Sequence, residues 1–93
     1  MVRLDCSGIH FGSQLDEKHL FVWASELSCF VRWEQDTLIV KSRRISSEAL
    51  RQLIALFNRY GIPMKQLAQF KARSNASWFN DSKKYWHKQV FGN

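Results

Sequence analysis

Residues 45–63 read ISSEALRQLIALFNRYGIP, and their reading decides the fold. Leu50, Leu53, Ile54 and Phe57 recur at helical spacing and form one apolar stripe, which Tyr60 can extend. Ser46 stands where a hydroxyl can cap the first free N–H groups. Ile45, just before it, can pack on Leu50 as a hydrophobic staple. Gly61 suits the left-handed residue that closes a helix, and Pro63 prevents continuation.

Downstream, PMKQLAQF (63–70) predicts a short helix with Pro63 in its first turn and Met64, Leu67 and Ala68 facing inward. KARSN (71–75) is a polar break. A last helix is expected from about Ala76 to Gln89. On a helical wheel, Trp78, Phe79, Ser82, Tyr85, Trp86, Gln89 and Val90 fall in a band about 140° wide. Asn80, Lys84, His87 and Lys88 lie opposite, with Lys83 at the edge. The ring-rich band therefore reads as a core face and the bases as a separate solvent face. A single-strand binder needs exposed rings among its cations, which this wheel keeps apart.

Upstream, CFVRWEQDTLIVKS (29–42) predicts a hairpin. Phe30–Trp33 and Thr37–Val40 are its strands and EQD is its turn, with Val31 and Trp33 inward and Arg32 outward. VRLDCSGIHF (2–11) alternates, with Val2, Leu4 and Cys6 on one side and Arg3 and Asp5 on the other, a strand ending near Gly8. GSQLDEKHLFVWASEL (12–27) reads as a helix with Ser13 as its cap and Asp16 and Glu17 in its first turn. Leu15, His19, Val22, Trp23 and Leu27 would then share a face. LFVWA (20–24) is also rich in strand formers. The helix is preferred, and the choice decides between three strands and four. Both hairpin strands are short, so the sheet needs helices against it. The expectation is one α+β domain over residues 1–93. A small antiparallel sheet, the N-terminal strand plus a hairpin at about 29–41, packs on three to four helices, with a helical C-terminal half.

The net charge of +6 is unevenly spread. Residues 1–40 hold three Lys and Arg against six Asp and Glu, or −3; residues 41–93 hold eleven against two, or +9. Such asymmetry points to an anionic partner for the second half, or to one half lying against the other. Candidate partner-binding residues are Arg43, Arg44, Lys83, Lys84, His87 and Lys88 on the basic side. On the acidic side they are Asp16, Glu17, Glu34 and Asp36, with Glu26 nearby.

Chemistry has few footholds. The chain lacks GxSxG, a glycine-rich phosphate loop, HExxH and DxD. His87 beside Lys83 and Lys84 is the best placed of three histidines for acid–base work, but a histidine among lysines reads first as a solvated face. Cys6, His10, His19 and Cys29 lack the close ligand pairs of zinc sites, and two free thiols are expected. The expectation is a non-enzymatic binding protein with no cofactor, metal or small-molecule substrate. No apolar run reaches membrane-spanning length, and the first residues lack the apolar core of a secretory signal. No membrane association and a cytoplasmic location are expected.

Two resemblances bear on partners. MKQLAQFKARSNASWFNDSKKYW (64–86) is similar to a helix-turn-helix: a short helix with LA, a turn, then a basic helix. It departs from that pattern at Ala72 and Arg73, where a glycine would make the tight turn, and at Trp78 and Phe79, where small or polar base-reading residues are expected. This implies DNA or RNA binding by a small regulator. The wider layout over 37–92, with LRQLIALFNRYGI (50–62) and a closing YWHKQVFG (85–92), resembles bacterial immunity proteins encoded beside polymorphic or contact-dependent toxins. That resemblance implies direct binding to a cognate protein toxin, covering its active site or a working surface. It carries over no individual residue.

Overall fold

The computed structural model describes residues 1–9 and 14–92, with the side chains of 14–16 outside the description. The expected Ser13 cap, the contribution of Leu15, and His10 fall outside it. In chain order the elements are β1 (Val2–Asp5), α1 (Gln14–Ser25), β2 (Phe30–Glu34), β3 (Thr37–Val40) and α2 (Ser47–Tyr60). A 3₁₀ helix (Met64–Phe70), α3 (Ala76–Phe79) and α4 (His87–Phe91) follow. The fold is α+β, with a three-stranded antiparallel sheet in which β3 lies between β1 and β2.

α2 forms as its sequence requires. Ser46 Oγ accepts the Ala49 N–H at 3.1 Å. Gly61 takes φ +66°, and the N–H groups of Gly61 and Ile62 both return to the Phe57 carbonyl. Ala49, Leu50, Leu53, Ile54, Leu56 and Phe57 are buried in the core that every other element joins. After Pro63, Met64, Leu67 and Phe70 are buried, every third residue, because a 3₁₀ helix has three residues per turn. The expected inward Ala68 is only half-buried for that reason, and Phe70 takes its place.

Residues 20–24 are helical, and α1 packs on α2 and β2. Its buried face is rotated from the expected one. Leu20 and Ala24 are buried and Trp23 half-buried, while Val22 is 45% exposed and His19 lies at the surface. In the hairpin a bulge between Phe30 and Arg32 leaves Val31 without a partner on β3. Phe30 and Trp33, opposite Val40 and Leu38, therefore face the core together, and Val31 does not take the inward place expected of it. Arg32 points outward as expected.

The sheet's open edge is closed by a side chain. The Gln66 amide bonds both backbone groups of Asp5, accepting its N–H at 2.6 Å and donating to its carbonyl at 2.8 Å. This mimics one rung of a fourth strand and ties the 3₁₀ helix to β1.

The continuous helix expected over 76–89 is absent. In such a helix the Lys83 N–H would bond the Phe79 carbonyl. Instead that carbonyl accepts Trp86 Nε1 at 2.9 Å, and the Lys83 N–H turns to Asp81 Oδ1 at 2.9 Å. Asn80, Asp81 and Ser82 carry the short polar side chains that compete with helix backbone in this way. The wheel over 78–90 fails with the helix. Phe79 and Val90 are buried and Trp78 and Trp86 half-buried, but Ser82, Tyr85 and Gln89 are exposed. The helix-turn-helix likeness loses its second helix here, since α3 has four residues and α4 five.

Asn75, 3% exposed, holds the loop before α3. Its Oδ1 accepts the Ala72 N–H at 2.9 Å and its Nδ2 donates to the Phe70 carbonyl at 2.8 Å. Asn75→Ala leaves both backbone groups without these partners and should cost roughly 2–3 kcal/mol in urea unfolding. The exposed Ser77→Ala should change stability by less than about 0.5 kcal/mol.

Candidate functional site

The acidic candidates divide between the two faces of the sheet. Glu34 lies on the outer face, where it accepts Arg32 Nε at 2.8 Å and pairs with Arg3 at 2.9 Å. These hydrogen bonds, that from Arg32 foremost, hold its carboxyl below its ordinary pKa of 4.5. Arg3 and Arg32 also flank Ile39 across the strands, and Ile39 is 1% exposed although it faces away from the core. Glu34 is thus a structural partner, already neutralised.

Glu17 and Asp36 lie elsewhere, together. They line one cleft of about 100 Å³ between α1 and the start of the hairpin turn, with Ile9, Phe21 and Trp33 among its walls. Phe21 is 36% exposed and stands edge-on to Trp33, with ring centroids 4.8 Å apart. Val22, beside it, is exposed as well. Glu17 precedes Phe21 by one helical turn, and Lys18 and Glu26 flank Val22 in the same way. Trp33 Nε1 is buried and finds no acceptor among the described residues. Asp16 stands in the first turn of α1, with its side chain outside the description.

The basic candidates also separate. Arg43 and Arg44 are exposed on the loop between β3 and α2, where Ser42 Oγ accepts the Arg44 N–H at 3.1 Å. Lys83 and Lys84 are exposed on the turn after α3. His87 is half-buried, its Nε2 3.2 Å from Asn80 Oδ1 and its ring against Phe91. Lys88 is exposed and lines a shallow hollow with His87, Phe91 and Gly92.

Sequence reasoning missed the ring cluster that accompanies these bases. Arg51 on α2 stands 4.3 Å above the Trp78 ring. Trp78 meets Trp86 edge-to-face at 6.0 Å, and Trp86 meets Tyr85 edge-to-face at 5.1 Å. Tyr85 is 58% exposed. The signal available in the sequence was NDS at 80–82, which marks a turn.

Charge pairing between the two halves of the chain is not observed among the described residues. The ion pairs there are Arg3–Glu34 and Arg32–Glu34, both within the first half. None of the bases after residue 40 has a carboxylate partner among the described residues.

Trp23, Glu26, Glu48 and Gln52 line a hollow of about 260 Å³ between α1 and α2, where Trp23 Nε1 donates to Gln52. No three His, Cys, Asp or Glu side chains gather as a metal group among the described residues. Cys6 and Cys29 are free and buried. Burial, and then the Asp5 charge, push the Cys6 thiol up to about 12; burial raises Cys29 as well. Neither is poised as a nucleophile at neutral pH. No described helix is long and apolar enough to cross a membrane.

Comparison with family models finds no match, and neither do comparisons with curated proteins and with solved structures.

Two measurements follow from these titrations. Both thiols should react slowly with a disulfide reagent at about pH 8 in the folded protein and rapidly in denaturant. For Glu34, a depressed folded pKa means stability that is present above 4.5 and lost as pH falls through the folded value. The urea midpoint of Glu34→Gln should therefore lie below wild type at about pH 7 and converge with it as pH falls through the folded value.

Proposed function

We propose that this chain is a non-enzymatic protein-binding module, an immunity protein that neutralises a cognate bacterial toxin by direct binding. The carrying observation is the face built by α1 and the hairpin turn. An exposed Phe21 is braced by Trp33, with Val22 beside it and Glu17 and Asp36 at the same cleft. Aromatic side chains held rigid at a surface are the usual anchors of protein interfaces. Acidic groups around them steer an encounter with a basic partner. A toxin acting on nucleic acid presents such a basic surface, because it must hold phosphates. The resemblance over 37–92 supports the same reading.

The exposed bases of the second half favour a second reading, binding to nucleic acid, through a different face.

The test is co-purification with the product of the adjacent gene, the toxin expected on this proposal, followed by titration calorimetry and stopped-flow association. Phe21→Ala should weaken the complex roughly 30-fold, mainly by faster dissociation. Glu17→Lys with Asp36→Lys should slow association about tenfold at low salt, with little effect at about 0.5 M. Failure to form any complex with that toxin would sink the proposal.

A further inference from the structure

The break at residues 80–83 rearranges the C-terminal segment. Trp86 is pinned through Nε1 to the Phe79 carbonyl, and Trp78 stacks edge-on against it. Tyr85 leans edge-on against Trp86 and remains 58% exposed. An edge-on arrangement occupies one side of a ring and leaves a face for another flat group. Lys83 and Lys84 precede this tyrosine on the same turn, both exposed. Arg51 caps the far end of the ring series over Trp78. The one carboxylate of the turn, Asp81, is half-buried and accepts the Lys83 backbone N–H. No ion pair neutralises Lys83, Lys84 or Arg51 among the described residues.

From this geometry we infer that the turn carrying Lys83, Lys84 and Tyr85, backed by Trp86, Trp78 and Arg51, is a binding surface for single-stranded nucleic acid. The two lysines hold successive phosphates and the Tyr85 ring stacks on an unpaired base. Charge complementarity selects a polyanion, and the exposed ring selects one that carries flat bases. A duplex keeps its bases stacked on each other and offers Tyr85 nothing to stack on. The inference rests on the second reading above and narrows it to single strands at one turn. The surface is separate from the α1 and hairpin face, so it stands or falls independently of the proposed toxin binding.

The experiment uses the full chain and fluorescein-labelled oligo(dT) and oligo(U) of about 12 nucleotides, a length within the range one small domain covers. A duplex of equal length and polyglutamate serve as comparisons, and anisotropy is read between about 0.05 and 0.2 M salt. Single strands should bind more tightly than the duplex, and polyglutamate should compete poorly. Tyr85→Ala should weaken single-strand binding about tenfold with an unchanged salt slope. Tyr85→Phe, which keeps the ring, should bind as wild type. Lys83→Glu with Lys84→Glu should weaken binding and flatten the slope by about 0.7 for each phosphate no longer neutralised. These side chains are exposed, so circular dichroism should show every variant folded. Equal binding of duplex, effective competition by polyglutamate, an unaffected Tyr85→Ala, or no binding at the lowest salt would each overturn the inference.

Discussion

Burial of one face of α2 is the constraint on which the other elements depend. The strands have four or five residues each, and α3 and α4 have four and five. Elements this short do not persist alone in water, because each fixes backbone entropy for few hydrogen bonds. α2 supplies what they lack: fourteen residues, capped at both ends, with six side chains buried in the common core. Leu20 and Ala24 from α1, Leu38 and Val40 from β3, Leu67 and Phe70 from the 3₁₀ helix, and Phe79 and Val90 from the last turns all join that core.

Two polar clasps settle how the C-terminal half is laid over this framework. Gln66 closes the edge of β1, so the sheet ends at three strands without an open rung at Asp5. Asn75 satisfies two backbone groups in the bend before α3. Both are neutral amides, able to donate and accept at once, which a carboxylate or an ammonium cannot do.

The exchange of partners at Phe79 and Lys83 has the larger functional consequence. An unbroken helix would have buried its rings on one side and shown lysines on the other. The break instead brings Tyr85 to the surface beside Lys83 and Lys84, with Trp86 as its support. The acidic, aromatic face around Phe21 belongs to a different part of the molecule and to a partner of opposite charge. Sheet topology also sorts the acids: Glu34 is consumed by Arg3 and Arg32 on the outer face, whereas Glu17 and Asp36 have no ion-pair partner among the described residues.

The sequence by itself determined α2 with its Ser46 and Gly61 caps, the hairpin with its two-strand pairing, the N-terminal strand and the α+β class. These follow from hydrophobic period, cap chemistry and turn residues, all local and written within a few residues of where they act. It also determined that acids gather early and bases late. Only the tertiary structure decided which side of α1 is buried, because Leu20 and Val22 are both strongly apolar and the choice rests on what packs against them. Only it decided that Phe30 replaces Val31 on the core face, since a bulge shifts register without a local signature. The helix over 76–89 fails partly on a local signal, the turn-forming run Asn80, Asp81 and Ser82, and partly because Trp86 reaches back seven residues to take a carbonyl that helical hydrogen bonding would claim. A side-chain bond that depends on the folded position of its donor is not legible in periodicity, and here it goes with a break that leaves Lys83, Lys84 and Tyr85 exposed in succession.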